Sequence, residues 1–170
     1  MRFQELRLEL CETLRRMAAG GLVLGAAGNA SARAGELIAI SPSRLWYATL
    51  RPEDVCLVGA DGALVDGRRP SVELPMHLGL LAARPDVGAV VHTHSPYATA
   101  LSCVLDEIPV VEPEQAATVG GAVPVADAAP SGTHELGAAV PAAAGNSDAV
   151  VIEGHGPVCF GADLAAALER

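Results

Sequence analysis

The chain has 170 residues, of which 51% are hydrophobic and 18% charged, a composition typical of one compact domain and not of a disordered segment. Its 11 basic and 20 acidic residues give a formal net charge of −9, which argues against nucleic acid or an anionic membrane surface as a partner. No apolar run approaches the roughly 18 residues that a membrane-spanning helix needs. We therefore expect one soluble domain over residues 1–170.

The predicted elements alternate helices with short strands. Leucines and Met17 recur at three- and four-residue steps near the start of the chain and predict an amphipathic helix. The helices are predicted at residues 3–19 and 72–83, from Ser95-Pro96, from Ser131 or Thr133, and at 162–170. The strands are predicted at residues 35–41, 55–58, 63–65, 88–94, 108–111, 122–126, 148–153 and 157–160. This mixed order predicts one sheet covered by helices on both faces.

The cysteines indicate a reducing compartment. They are far apart in sequence and form no CxxC pair, which is typical of reduced thiols inside a cytoplasmic protein. They are Cys11, Cys56, Cys103 and Cys159. The absence of a charged-then-apolar leader fits the same expectation of a cytoplasmic location.

Two histidines one residue apart follow the apolar run of the strand predicted at 88–94. Side chains at i and i+2 of a strand share a face, so His92 and His94 would lie side by side. Two imidazoles at this spacing suit Zn²⁺ or a similar metal, which takes about three protein ligands in a catalytic site.

A third ligand is available in the tight turn predicted around residues 154–156. His155 lies there between two glycines, in a position typical of a side chain needed at a site. His77 and His134 lack such a partner, and we expect core or solvent roles for them.

Five segments spread over nearly the whole chain carry a common resemblance. They are GNAS at 28–31, SPS at 41–43, SVELPMH at 71–77, RPDVGAVVHTHSPYATALS at 84–102 and GHGPVCFG at 154–161. In this order they resemble the class II aldolase/adducin family, which includes aldolases of small ketose phosphates such as L-fuculose 1-phosphate. Sugar-phosphate epimerases, dehydratases and decarboxylases belong to the same family.

The resemblance implies both an architecture and a metal site. It implies a three-layer α/β/α sandwich with a mostly antiparallel central sheet, assembled as a homotetramer with active sites between neighbouring subunits. It assigns His92, His94 and His155 as ligands of a divalent metal, usually Zn²⁺, and Glu73 as the acidic catalytic residue. The C-terminal helices of the family, which pack on the sheet and on the neighbouring subunit, have no counterpart before Arg170.

The chemistry of the family agrees with these residues. Its substrates place a hydroxyl beside a ketone, and removal of the proton between them produces an enediolate that a divalent cation can stabilise as a Lewis acid. Glu73 can act as the base if burial raises its pKa from about 4.3 towards neutrality. Taken alone, Glu73 would be interpreted as a first-turn residue that complements the helix dipole.

The resemblance also assigns a phosphate site to three loops. Its residues, which singly fit ordinary turn chemistry, are Gly28, Asn29, Ser43 and Ser71. The chain departs from the family pattern at Arg44, where a glycine is usual, and at Val72, which replaces the second serine of a Ser-Ser-Glu pattern. Arg44 can add a bidentate contact to a phosphate or carboxylate, or its bulk can shorten the pocket.

A further departure concerns the proton donor at the other half of the substrate. Pro113 stands where the aldolase has a tyrosine, and a second tyrosine belongs to the C-terminal tail. Glu112, Glu114 or a metal-bound water are alternatives for the missing acid, and the sequence leaves the choice open.

These observations predict a metal-dependent aldolase that cleaves or forms a C–C bond in a small ketose phosphate. An epimerase, dehydratase or decarboxylase with the same metal and base is the alternative within the family. A non-catalytic adducin-like binding module is the alternative from another class. The presence of Glu73 together with three histidines argues against the binding module, because a scaffold does not need four convergent polar groups.

Overall fold

One mixed sheet of nine strands organises the protein, whose computed structural model describes residues 1–170. The strands are β1 (Asn29–Ala34), β2 (Leu37–Ile40), β3 (Cys56–Val58), β4 (Leu64–Asp66), β5 (Ala89–His92), β6 (Glu107–Ile108), β7 (Val123–Ala126), β8 (Ala149–Ile152) and β9 (Gly156–Gly161). The helices are α1 (Gln4–Ala19), α2 (Leu74–Ala83), α3 (Pro96–Ser102), α4 (Pro113–Val119), α5 (His134–Ala144) and α6 (Leu164–Glu169).

The strands lie in the order β4-β3-β2-β1-β5-β9-β8-β7-β6. Every neighbouring pair is antiparallel except β7 and β8, which are parallel. The predicted α/β class and the mostly antiparallel sheet are therefore confirmed. The one parallel pair arises because α5 connects β7 to β8 as a crossover helix.

Alternation along the strands separates the buried side chains into two clusters. In β5, Val91 belongs to a cluster that also contains apolar residues of α1 and α6, whereas Val90 belongs to a cluster with apolar residues of α2 and α5. Each cluster contains 17 buried residues, and successive strand residues point to opposite faces of the sheet. Both faces of the sheet thus bury apolar surface.

Strand β1 is an element that the sequence pattern does not predict. The small side chains of Ala30, Ala32 and Ala34 lie on the face of β1 that packs against α1. The intervening residues include Asn29 and Ser31, which are buried on the other face. The β-branched and aromatic residues that usually mark a strand are absent. Pairing with β2 on one side and β5 on the other fixes this segment as a strand.

The region before β7 also differs from its prediction. The strand expected at 108–111 is limited to the two residues of β6, and residues 113–119 form α4, which the sequence pattern does not indicate. Pro113 occupies the first turn of α4, where its missing N–H is harmless. Val110 and Val111 are exposed, so their apolar character does not mark a buried strand.

Helix α2 carries the predicted catalytic carboxylate at its N-terminus. Glu73 is the residue before the first helical position, and Pro75 lies within the first turn. The Ser71 hydroxyl accepts a hydrogen bond from the Glu73 N–H at 3.2 Å, and so satisfies one of the free donors at the helix start. The local sequence therefore fixes where the Glu73 backbone lies.

None of the six α-helices has both the length and the apolar character of a membrane span.

Helices α2 and α5 approach each other closely through two glycines. A Cβ atom built on Gly79 would lie 2.1 Å from the carbonyl oxygen of Gly137, and one built on Gly137 would lie 2.7 Å from the carbonyl oxygen of Pro75. No side chain fits at either position, so the two glycines set the distance between the helices.

We predict that Gly79→Ala destabilises the protein although alanine is the better helix former. The helix-propensity gain of at most about 1 kcal/mol is outweighed by an overpacking cost of roughly 1–3 kcal/mol. Urea unfolding monitored by circular dichroism measures the change. Ala82→Gly, on the exposed face of α2, is the control for helix propensity alone: it should cost about 1 kcal/mol, which shows that alanine is preferred in this helix where there is space for it. A stabilised Gly79→Ala variant would contradict the close-approach interpretation.

Candidate metal centre and active site

Antiparallel pairing of β5 with β9 brings the three predicted histidine ligands together. His92, the last residue of β5, pairs with Val158 of β9, so the turn that precedes β9 lies beside the end of β5. His155 is in that turn. Its Nε2 atom lies 3.3 Å from Nε2 of His92, and Nε2 of His94 lies 3.1 Å from the same atom.

His94 lies just beyond the strand instead of within it. Its backbone N–H donates a hydrogen bond to the Leu22 carbonyl at 3.0 Å, which holds the segment after β5 in place. A Cβ atom built on Gly156 would lie 2.2 Å from the Thr93 carbonyl oxygen, so only glycine allows this approach of the His155 turn. The side-by-side placement of His92 and His94 is as predicted.

Glu73 completes a cluster of four groups. Its Oε2 atom lies 3.3 Å from Nε2 of His92, and its Oε1 atom lies 3.5 Å from Nε2 of His155. One ligand atom from each of Glu73, His92, His94 and His155 lies within 4.8 Å of the others. Two segments that are far apart in sequence, the start of α2 and the β5–β9 region, thus meet at one point.

The donor set fits a divalent metal. The Nδ1–H of His92 donates to the Pro157 carbonyl at 3.0 Å, which leaves the Nε2 lone pair directed at the cluster. Tetrahedral Zn²⁺ with Zn–N bonds of about 2.0–2.1 Å places its ligand nitrogens about 3.3 Å apart, close to the spacing observed. Glu73 Oε1 is buried without a hydrogen-bond partner, so it too faces the cluster unsatisfied.

Burial keeps His92 and His94 in the form that binds metal. Burial, opposed in part by the Glu73 carboxylate, lowers the pKa of His92 to about 3. Burial and the neighbouring His155 also lower the pKa of His94. At neutral pH these two imidazoles are uncharged and present lone pairs.

The pKa of Glu73 differs from its prediction. Burial by itself would raise this pKa, but the His92 imidazole, the hydrogen bond from Asn29 and two further imidazoles hold it below its ordinary value. The condition considered from the sequence, a pKa raised by burial towards neutrality, is therefore not met. Glu73 is an ionised carboxylate at neutral pH, which is the form that accepts a proton.

A series of buried hydrogen bonds that does not include the three clustered histidines ends at Glu73. Asn29 Nδ2 donates to Glu73 Oε2 at 2.7 Å, and Asn29 Oδ1 pairs with Nε2 of His77 at 2.5 Å. The Nδ1 atom of His77 pairs with the Ser31 hydroxyl at 2.7 Å. His77 is fully buried, as its expected core role requires, but its contact with the site was not predicted.

The residues assigned to phosphate binding line one cavity of about 220 Å³ next to the cluster. This cavity is bounded by Gly28, Asn29, Ser43, Arg44, Ser71, Val72, Glu73, His94, Ser131 and His155 among others. Ser131, in the loop before α5, is a lining residue that sequence reasoning missed. Arg44 is the only arginine or lysine in the lining, and its backbone has a left-handed φ of 57°, which a glycine would adopt more easily.

Two of these residues also have structural tasks. Gly28 has φ of 71°, and a Cβ atom on it would lie 2.6 Å from the His92 carbonyl oxygen, so the approach to β5 requires glycine. The Asn29 side chain is committed to Glu73 and His77. Their assignment to substrate binding stays a prediction.

A larger cavity of about 450 Å³ lies elsewhere, with a mostly apolar lining that includes Val91, Val151 and Leu168. It contains none of the four clustered groups. Because reaction chemistry requires convergent polar groups, we assign the active site to the smaller polar cavity.

The residues considered as alternative acids lie outside the polar cavity. Glu112 and Glu114 flank the start of α4 and are exposed, and neither lines the cavity. His134 is exposed at the start of α5, in agreement with its expected solvent role.

Comparison with known proteins gives consistent matches. The family model of the class II aldolase and adducin N-terminal domain matches residues 8–170. A 5-methylthioribulose-1-phosphate/5-deoxyribulose-1-phosphate aldolase of Rhodospirillum rubrum is 39% identical over 164 residues, covering 96% of this chain and 74% of that protein. The L-fuculose phosphate aldolase of Escherichia coli K12 is 32% identical over 168 residues, covering 99% of this chain and 78% of that protein.

Solved structures with a similar fold are also described as aldolases or putative aldolases. An L-fuculose 1-phosphate aldolase superposes with a TM-score of 0.93 at 31% identity, covering 99% of this chain and 80% of its own. YgbL from Klebsiella pneumoniae, described as a putative aldolase/epimerase/decarboxylase, superposes with a TM-score of 0.89 at 29% identity, covering 98% of this chain and 83% of its own.

We predict that the purified protein binds about one equivalent of divalent metal per chain, since three converging imidazoles supply the three protein ligands of a catalytic metal site. Elemental analysis after dialysis against Zn²⁺ and removal of free metal measures the content. His155→Ala should lower the retained metal severalfold, whereas His134→Ala, at an exposed histidine, should not. Less than about a tenth of an equivalent in the wild-type protein would contradict the metal centre.

Proposed function

The chain belongs to the class II aldolase and adducin family and is a lyase of the aldolase type, and on this premise we propose its reaction and substrate class. The substrate is a small ketose 1-phosphate, such as L-fuculose 1-phosphate or a 5-deoxypentulose 1-phosphate. The reaction is reversible cleavage of the bond between C3 and C4, which yields dihydroxyacetone phosphate and an aldehyde.

One observation carries the proposal: a buried carboxylate with one oxygen that has no hydrogen-bond partner faces three imidazole nitrogens beside a cavity lined by one arginine and three serines. A base, a metal-binding triad and donors for an anion are the parts that proton removal beside a phosphorylated ketone requires. A binding module would not need the unpaired carboxylate oxygen, whose burial costs stability.

The proton balance follows from the position of Glu73. In the direction of synthesis, Glu73 Oε1 removes a proton from C3 of dihydroxyacetone phosphate, and the electron pair left on C3 forms the new bond to the aldehyde carbon. The aldehyde oxygen becomes the C4 hydroxyl by taking up a proton from solvent water, and Glu73 releases the C3 proton to solvent, so the overall reaction neither gains nor loses a proton. In cleavage these steps reverse, so the protonated Glu73 returns its proton to C3.

A divalent cation, when bound by His92, His94 and His155, would supply Lewis-acid stabilisation of the negative charge on the substrate oxygens. The chain itself orients the reacting groups. Asn29 holds Glu73 Oε2, and the Ser71 hydroxyl fixes the Glu73 backbone. These contacts keep the carboxylate in position before substrate binds.

We propose that Arg44, Ser43, Ser71 and the backbone around Gly28 and Asn29 bind the phosphate. Arg44 supports this assignment because it brings the only full positive side-chain charge into the lining of a protein with a net charge of −9. Its guanidinium can replace the hydroxyl lost at Val72, since one bidentate contact provides two donors.

Several finer features belong to the same proposal. They are Zn²⁺ as the native metal, a homotetramer with active sites between subunits, a complete α/β/α layering and a cytoplasmic location. The two buried clusters, one with α1 and α6 and the other with α2 and α5, support the layering. Epimerase, dehydratase and decarboxylase activities are the competing reactions, because the same base and metal would serve them.

For Glu73 we predict that Glu73→Gln retains bound metal and suppresses exchange of the C3 proton of dihydroxyacetone phosphate. The neutral amide keeps the size of the carboxylate but cannot take up the proton, and loss of a general base typically costs about 10²–10⁴-fold in rate. Proton NMR in deuterium oxide follows the exchange, and elemental analysis follows the metal. An exchange rate equal to that of the wild-type protein would assign the base to another residue.

For Arg44 we predict that Arg44→Gly weakens the preference for phosphorylated over unphosphorylated dihydroxyacetone. A hydrogen-bonded charge contributes roughly 1.5–3 kcal/mol, so the ratio of kcat/KM values should fall about 10- to 150-fold. Glycine tolerates the left-handed backbone, which keeps the loop intact. Arg44→Lys is the matched control and should retain part of the preference. An unchanged ratio in Arg44→Gly would remove Arg44 from the phosphate site.

A further inference from the structure

His77 is a buried histidine whose two ring nitrogens are both engaged next to the active site. It lies one helical turn after Glu73, so α2 places it behind the carboxylate and not among the metal-binding imidazoles. Its Nε2 atom pairs with Asn29 Oδ1 and its Nδ1 atom with the Ser31 hydroxyl. None of the roles assigned above to the metal, the base or the phosphate site uses this side chain.

The carboxylate determines the direction of every hydrogen bond in this chain of groups. An ionised Glu73 can only accept, so the amide group of Asn29 must direct Nδ2 to Glu73 Oε2. Asn29 Oδ1 then faces His77 and must accept, which requires a proton on His77 Nε2. A neutral ring with that proton has a lone pair on Nδ1, so the Ser31 hydroxyl must donate.

The opposite tautomer of His77 would place two hydrogen-bond acceptors against each other at the contact between Asn29 and Glu73. If His77 carried its proton on Nδ1, Nε2 would need a donor, and the Asn29 amide would have to turn its oxygen towards Glu73. Two acceptors would then face each other in a buried site, and the carboxylate would lose a hydrogen bond. Only the tautomer of His77 with its proton on Nε2 therefore allows Asn29 to donate a hydrogen bond to Glu73.

We propose that His77 is a positioning residue for Glu73: as the neutral Nε2–H tautomer it fixes the Asn29 amide, which holds Glu73 Oε2 and leaves Oε1 as the oxygen that takes up the substrate proton. Oε1 is buried without a hydrogen-bond partner, whereas Oε2 accepts the hydrogen bond from Asn29, which agrees with these different roles of the two oxygens. The role of Oε1 rests on the proposed function, whereas the tautomer of His77 does not.

A neutral imidazole suits this task better than a charged side chain. Burial lowers the pKa of His77 to about 4 against the opposing effect of Glu73, so the ring is uncharged at neutral pH. A neutral donor orients Asn29 without adding a positive charge that would further reduce the basicity of Glu73. Ser31 of β1 completes the fixation because its hydroxyl is fully buried and faces the ring.

The first experiment measures the tautomer directly. Heteronuclear NMR of the imidazole nitrogens in labelled wild-type protein at neutral pH should show a protonated Nε2 and an unprotonated Nδ1 for one histidine. That signal should disappear in His77→Gln, which identifies it. A protonated Nδ1 with an unprotonated Nε2, or a doubly protonated ring, would overturn the proposal even if the aldolase reaction is confirmed.

The second experiment separates positioning from a merely structural role. His77→Gln can keep an N–H donor for Asn29 Oδ1, whereas His77→Leu removes it. We expect kcat for exchange of the C3 proton of dihydroxyacetone phosphate to fall about 10- to 100-fold in His77→Leu, the range typical for loss of a supporting hydrogen bond next to a metal site. KM should change little, and His77→Gln should recover most of kcat.

Controls make each outcome decisive. Circular dichroism and metal content confirm that a variant is folded and loaded, and Ser31→Ala provides a milder variant that weakens only the tautomer preference. Wild-type kcat in a folded His77→Leu protein, or equal losses in His77→Leu and His77→Gln, would overturn the positioning role. Absence of exchange in the wild-type protein would instead contradict the proposed function and leave the NMR result to decide the tautomer.

Discussion

The antiparallel pairing of β5 with β9 is the constraint on which the candidate site depends. Its register places the β8–β9 turn, with His155, beside the end of β5, where His92 and His94 are located. A shift of one residue would turn these side chains to the opposite face of the sheet. The close approach of Gly156 to the Thr93 carbonyl helps to hold the register, because any larger residue would push the strands apart.

Burial of an ionised carboxylate is the second constraint, since an unpaired charge in the interior is costly. The protein supports Glu73 with a hydrogen bond from Asn29 and with its position at the start of α2. Asn29 of β1 provides the hydrogen bond, and the alanines of the same strand pack against α1. One strand with two different faces therefore connects the core to the site, which explains its small and polar residues.

Sequence reasoning was most successful where a local pattern carries the information. The leucine periodicity of α1, the His92–His94 pair and the glycines around His155 correspond to structure that local geometry determines. It failed for β1, because the alternation of alanine with polar residues lacks the usual strand signal and only its two neighbours define it. The role of His77 was also missed, although its four-residue spacing from Glu73 within a helix was a usable signal. The direction of the Glu73 pKa shift could not be obtained from the sequence, because it depends on Asn29 and on imidazoles that only the fold brings together.

The central claim is that three imidazoles from distant segments form one metal centre, beside a carboxylate that acts as the base in a reaction next to a phosphorylated ketone. Anomalous diffraction from zinc-loaded crystals tests this claim most directly. The account predicts one strong peak per chain within about 2.0–2.1 Å of the Nε2 atoms of His92, His94 and His155. A principal peak at another position, or a metal bound by cysteine thiolates, would contradict it.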